Sequence, residues 1–137
     1  MAKILLVEDE EQLRSMLKIV LEGAGHTVQE AGDGKEALES YILHPADLMV
    51  TDIVMPNKEG IETILEFRRS HPELRIIAMS GGGRNSAQDY LKLAKSFGAD
   101  YVLTKPFSNQ AILDVVKTVL ASPPQDSASL QSSETRV

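Results

Sequence analysis

Three acids, a serine and a lysine each stand at the end of a short apolar run in this sequence. Glu8 and Asp9 follow Ile4-Leu5-Leu6-Val7, and Asp52 closes Leu48-Met49-Val50-Thr51. Ser80 closes Ile76-Ile77-Ala78-Met79, and Lys105 follows Tyr101-Val102-Leu103-Thr104. Three carboxylates gathered at one point repel each other, so a hard cation such as Mg2+ is needed to hold them ionised together. Magnesium takes few carboxylates and keeps several waters, which leaves positions for phosphate oxygens. The Lys105 ammonium and the Ser80 hydroxyl could bind the remaining oxygens. A carboxylate so placed can act as a nucleophile toward a phosphoryl group, with catalysis by positioning and electrostatics. Taken singly, each residue has an ordinary alternative. An acidic pair before a helix complements its dipole, a serine before glycines belongs to turn chemistry, and a lysine before proline is most often exposed. The argument rests on their joint placement.

That placement requires particular elements. Strands are expected over residues 3–7, 48–52, 75–80 and 101–104, as short apolar runs bounded by glycine, proline or charge, and another over about 27–31. Helical spacing of Leu13, Met16, Leu17, Val20 and Leu21 predicts a helix that Gly23-Ala24-Gly25 stops. A second helix carries Ala37, Leu38, Tyr41 and Ile42 on one face and is bounded by Pro45. A third is marked by Ile61, Ile64, Leu65 and Arg68 and ends near His71-Pro72. Another is expected over 86–97. Ser108 can cap the last, whose inward face is Ile112, Leu113, Val115, Val116, Val119 and Leu120. Five strands alternating with five helices imply an α/β fold, a parallel (βα)5 sheet covered on both faces, and the doubly wound, flavodoxin-like order 2-1-3-4-5 is the one expected of it. In that order the strands ending in Glu8-Asp9, Asp52, Ser80 and Lys105 are contiguous. The order reverses between the first and third, where open α/β sheets bind ligands.

The bulk properties narrow the function. A chain of 137 residues, 42% hydrophobic and 25% charged, suits one folded domain. That domain is expected over 1–121, with a Ser-, Pro- and Gln-rich disordered tail over 122–137. Without cysteine there is no disulfide framework or thiolate metal site. No apolar run approaches the roughly 20 residues of a membrane span, and the acids after Val7 come too early for a signal peptide. A cytoplasmic location without membrane insertion is therefore expected. A net charge of −6 argues against direct nucleic-acid contact. The dispersed His26, His44 and His71 read as surface or loop residues.

The residues quoted so far carry a resemblance. Ile4-Leu5-Leu6-Val7-Glu8-Asp9-Glu10, Asp52-Ile53-Val54-Met55-Pro56 with Gly60, Ser80-Gly81 and Lys105-Pro106-Phe107 closely resemble the motifs of bacterial response regulator receiver domains, over about residues 3–120. The resemblance implies that Asp52 is the phosphoacceptor, receiving its phosphoryl group from a histidine kinase or histidine phosphotransfer protein. It implies that Asp9, Glu8, Asp52 and the backbone carbonyl of Val54 hold Mg2+, and that Ser80 and Lys105 contact the phosphoryl oxygens. It further implies a cis Lys105-Pro106 bond. The implied output is a switched surface, built from the 86–97 helix, the last strand and the last helix, that binds a downstream protein effector. On this reading the chain is a signalling module that catalyses only its own phosphorylation and dephosphorylation. The sequence departs from the family pattern in three places. Glu8 stands where Asp is commoner, and Val102 stands where the switch aromatic is usual, with Tyr101 one residue earlier. The Ser80-to-Lys105 interval is also long, the extra residues being expected in 81–85 or in the helix that follows. Two other functions fit the fold class less well. An aspartate-nucleophile phosphatase wants a second Asp at the position of Val54 and a cap domain. A flavin-binding protein wants a phosphate-binding loop where Glu8 and Asp9 would repel it, and more than 4% aromatic residues.

Overall fold

The computed structural model describes residues 2–53, 59–80, 92, 96 and 98–122. Elements follow in the order β1 (Lys3–Val7), α1 (Glu11–Gly23), β2 (Thr27–Ala31), α2 (Gly34–Leu43), β3 (Leu48–Asp52), α3 (Glu59–Ser70), β4 (Arg75–Ser80), β5 (Tyr101–Thr104) and α4 (Asn109–Ala121). The stretch 81–85, most of the helix expected over 86–97, and residues 123–137 lie outside the described residues; Lys92 and Ser96 are helical.

All five strands pair in parallel, in the order β2-β1-β3-β4-β5. Alternate side chains leave opposite faces of the sheet, so each strand feeds two cores. On one face Leu5, Val7, Met49, Ile76 and Ala78 pack with Ala37 and Tyr41 of α2 and Ile64 and Phe67 of α3. On the other, Ile4, Leu6, Leu48, Val50, Ile77 and Met79 pack with Leu17 and Leu21 of α1 and with Ile112, Val115, Val116 and Val119 of α4. Burial on both faces accounts for the continuous apolar runs. β3, at the centre, is buried at all five positions, whereas the edge strands β2 and β5 keep exposed ones.

Helix starts are set locally. The Asp33 side chain accepts from the Glu36 N–H at 2.8 Å, and Ser108 Oγ accepts from the Ala111 N–H at 3.0 Å, as the sequence leads one to expect of Ser108. Two side chains that belong to the apolar helical spacing turn outward: Met16 is 46% and Ile42 is 73% exposed. Leu17 and Leu21, or Ala37 and Tyr41, already fill the sheet-facing stripe beside them. Phe67, absent from the expected face of α3, is fully buried and meets Tyr41 edge-on at 5.5 Å. His71 tilts over Tyr41 at 4.3 Å, and His26 Nδ1 accepts the Ala2 N–H at 3.1 Å. Both histidines stand in loops, as expected, and are half-buried.

Arg68 ties the far end of the domain together. Its guanidinium donates to the carbonyls of Pro72, Leu74 and Gly98 and to Asp100 Oδ2, at 2.7 to 3.2 Å. Asp100 Oδ2 also accepts from the Ile76 N–H at 2.8 Å, so one arginine links α3, β4 and the approach to β5. Gly98 lies over it at φ 112°, where a Cβ would come within 3.0 Å of the Arg68 side chain. Arg68→Ala leaves a half-buried carboxylate with one donor fewer and several carbonyls short of donors, and should cost about 1–3 kcal/mol. Gly98→Ala combines backbone strain with a steric clash and should cost about 1–3 kcal/mol. Urea denaturation of both variants checks this; midpoints equal to wild type would show that the clamp contributes nothing.

Candidate functional site

Parallel pairing brings the chemical residues to the C-terminal edge of the sheet. Val7 is registered with Thr51, which sets Glu8 beside Asp52, and Asp52 is registered with Met79, one residue before Ser80. Ser80 in turn faces Thr104, and the Lys105 N–H donates to the Ser80 carbonyl at 2.8 Å, extending the ladder by one bond. Each functional group is thus placed by the sheet's own backbone hydrogen bonds.

The side chains converge. One carboxylate oxygen from each of Glu8, Asp9 and Asp52 lies within 4.8 Å of the others. Lys105 Nζ donates to Asp52 Oδ2 at 2.9 Å and to Glu8 Oε1 at 3.1 Å. Glu8 Oε2 accepts the Glu10 N–H at 3.1 Å. Glu8, Asp52 and Ser80 are buried, Asp9 is exposed, and Lys105 lies between these extremes. The Lys105-Pro106 bond is cis. Ser80 occupies the expected strand end, fully buried. Val54 lies outside the described residues.

The electrostatics are those of a site with excess negative charge. Burial, and then the Asp52 charge, push the Glu8 carboxyl up to about 7, against the opposing pull of the Glu10 N–H and Lys105. Burial alone would lower the Lys105 ammonium; its hydrogen bond to Asp52 and the charges of Asp52 and Glu8 outweigh this and hold it above its ordinary value. An all-oxygen, carboxylate-rich cluster of this size suits a hard divalent cation of the Mg2+ kind.

One contributor is not legible among the acids and the lysine. Arg14, in α1, donates from Nη1 to the Glu8 carbonyl at 2.8 Å and from Nε to Glu30 Oε1 at 3.2 Å. Its place within an amphipathic helix gives no sign of this, because its partners lie on two strand ends.

A doubly wound parallel sheet of flavodoxin-like order, with an acidic cluster and a lysine at its switch point, defines the class. The family then follows: residues 4–117 match the model of the response regulator receiver domain, and the chain belongs to that family of two-component signalling domains. It is 37% identical over 123 residues to the chemotaxis protein CheY of Halobacterium salinarum, covering 89% of this chain and 100% of that one. To the transcriptional regulatory protein CpxR of Klebsiella pneumoniae it is 37% identical over 120 residues, 88% of this chain but 50% of that one. The crystal structure of the receiver domain of NtrX from Brucella abortus superposes with a TM-score of 0.81 at 27% identity, covering 87% of this chain and 98% of that one. Receiver domains bind Mg2+ through an acidic cluster, and Glu8, Asp9 and Asp52 form one here.

The raised Glu8 group makes the site pH-dependent. Unfolded, Glu8 titrates near 4.5; folded, near 7. Between these values the folded chain holds the extra proton, so this group's contribution to stability is present below about 4.5 and is lost as pH rises to about 7. The upper bound of the effect is about 3 kcal/mol. Mg2+ competes with that proton, so its stabilising effect should grow with pH. Thermal melts at about pH 6 and about pH 8, with and without Mg2+, test this. Glu8→Gln should be the more stable protein at the higher pH without metal and should lose most of the Mg2+ response. An equal response in wild type and Glu8→Gln would remove Glu8 from the site.

Proposed function

We propose that this chain is a phospho-switch in which Asp52 accepts a phosphoryl group from the phosphohistidine of a histidine kinase or histidine phosphotransfer protein. The observation that carries the proposal is the convergence of the Glu8, Asp9 and Asp52 carboxylates on one point, with Lys105 Nζ bridging Glu8 and Asp52. An Asp52 carboxylate oxygen attacks phosphorus and forms an O–P bond. The N–P bond of the donor breaks, its electron pair returns to the imidazole nitrogen, and that nitrogen takes a proton from solvent. Lys105, already within hydrogen-bond distance of Asp52, follows the negative charge onto the transferred group. Ser80, at the adjacent strand end, offers its hydroxyl to a phosphoryl oxygen. Glu8, Asp9, Asp52 and the Val54 carbonyl would hold Mg2+, which supplies charge neutralisation for the phosphoryl oxygens. Water later releases phosphate and restores the carboxylate, so the chain turns over only its own phosphoryl group.

The output is a change in a partner-binding surface read by a downstream protein effector. A net charge of −6 supports a protein over nucleic acid as the direct partner. Among the described residues no helix is long and apolar enough to cross a membrane.

Incubation with Mg2+ and acetyl phosphate, followed by intact-mass measurement or phosphate-sensitive gels, should label wild type and leave Asp52→Asn unlabelled. Lys105→Ala should slow labelling by roughly 100-fold, as loss of one charge-stabilising donor does. If wild type stays unlabelled with both acetyl phosphate and a competent phosphohistidine donor, the proposal is lost.

A further inference from the structure

Arg14 lies outside the chemistry proposed above, yet it holds the backbone that aims the metal-binding acids. The Glu8 N–H donates to the Ala31 carbonyl of β2 at 3.0 Å, and the Glu8 carbonyl accepts from Arg14 Nη1 at 2.8 Å. The residue is therefore gripped on both sides, by the neighbouring strand and by the following helix. The Glu8 carbonyl and the Asp9 N–H belong to one planar peptide. Fixing that carbonyl fixes the plane from which the Glu8 and Asp9 side chains depart, one on each side. The turn is closed beyond it by the Glu10 N–H donating to Glu8 Oε2.

The second arm of Arg14 anchors the grip: Nε donates to Glu30 Oε1, on the strand that also binds the Glu8 N–H. A purely structural staple between α1 and β2 would not need Arg14 alone, because Lys18 Nζ also reaches Glu30, at 4.0 Å. What Arg14 adds is the bond to the Glu8 carbonyl. Its planar fork spans the two acceptors at once, which a lysine's single ammonium at the end of a flexible stem does poorly. The Arg14 side chain is only 18% exposed, so water does not readily take its place.

We infer that Arg14 is a positioning residue for the Glu8–Asp9 carboxylate pair, setting the geometry with which the site receives its divalent cation. The inference rests on the metal-dependent reading of the site given above. Residues that orient metal ligands without touching the metal commonly change affinity by about 10–100-fold when removed.

The test is a titration of Mg2+ alone into the full chain, followed by amide chemical shifts in NMR spectra, for wild type, Arg14→Ala, Arg14→Lys and Gly98→Ala. Wild type should show saturable shifts at Glu8, Asp9 and Asp52. Arg14→Ala should raise the Mg2+ Kd roughly 10-fold, with metal-free shift changes concentrated at residues 8–10, and Arg14→Lys should fall between. Gly98→Ala, destabilised far from the site, should keep the wild-type Kd, which separates positioning from lost stability. A wild-type Kd in Arg14→Ala overturns the inference while leaving the site intact; should that variant not fold, a wild-type Kd in Arg14→Lys has the same force. An equal rise in Kd in Gly98→Ala also overturns it. If wild type shows neither Mg2+-dependent shifts nor acetyl phosphate labelling, the reading of the site fails and the inference falls with it.

Discussion

The repulsion between carboxylates at one end of the sheet is the constraint to which the rest of the molecule answers. Glu8 and Asp52 are almost wholly buried, where like charges interact far more strongly than in water. Left to a flexible loop, they would separate. They cannot do so here without breaking the pairing of β1 with β3, and that pairing lies between two apolar cores. The tension is recorded in Glu8, whose carboxyl is pushed to about 7 although an ammonium and a backbone N–H both favour its charged form. A stable parallel sheet is what allows so unfavourable a group of charges to persist.

The parts of this arrangement that follow from short-range pattern were legible in the sequence. All five strands have the expected bounds, and in β1, β3, β4 and β5 apolar runs between glycine, proline and charge leave little freedom in where they start and stop. The alternation of elements implied the parallel sheet, and the expected strand order brings Glu8, Asp9, Asp52 and Lys105 together. Helix faces were less legible. Met16 and Ile42 belong to apolar stripes wider than the face the sheet can cover, and Phe67, three residues after Ile64, adds a buried ring to the face marked by Ile61, Ile64 and Leu65. Least legible were the arginines. Arg14 looks like an ordinary helix-surface charge and Arg68 is legible only as one of the residues marking α3, yet each joins segments whose proximity exists only once the chain has folded. Periodicity carries no information about such partners.

The departures from the family pattern at β5 have a plain structural expression. Val102 leans into the core shared with α2 and α3, as a β-branched residue with little freedom at χ1. Tyr101 is 40% exposed and, one residue away, leaves the other face of the strand. No aromatic ring therefore stands at the Val102 position to change rotamer. What joins Ser80 to Lys105 is backbone: the β4–β5 pairing and the bond from the Lys105 N–H to the Ser80 carbonyl. These two phosphoryl-contact candidates are mechanically continuous whatever side chain occupies position 102.

Charge balance then explains why one lysine does not complete the site. With all three carboxylates ionised, a single ammonium would leave a formal excess of two negative charges. Lys105 divides its donors between Glu8 and Asp52, and Glu8 still titrates near neutrality, so the ammonium offsets part of the repulsion and not all of it. A divalent cation matches the remaining charge, and exposed Asp9 gives it an entrance that buried Glu8 and Asp52 do not. A phosphoryl group arriving at Asp52 would bring further negative charge, which the carboxylates alone would repel. Recognition of a cation and acceptance of an anion are thus one requirement on this site. The protein meets it by fixing the acids rigidly enough that the compensating charge must come to them.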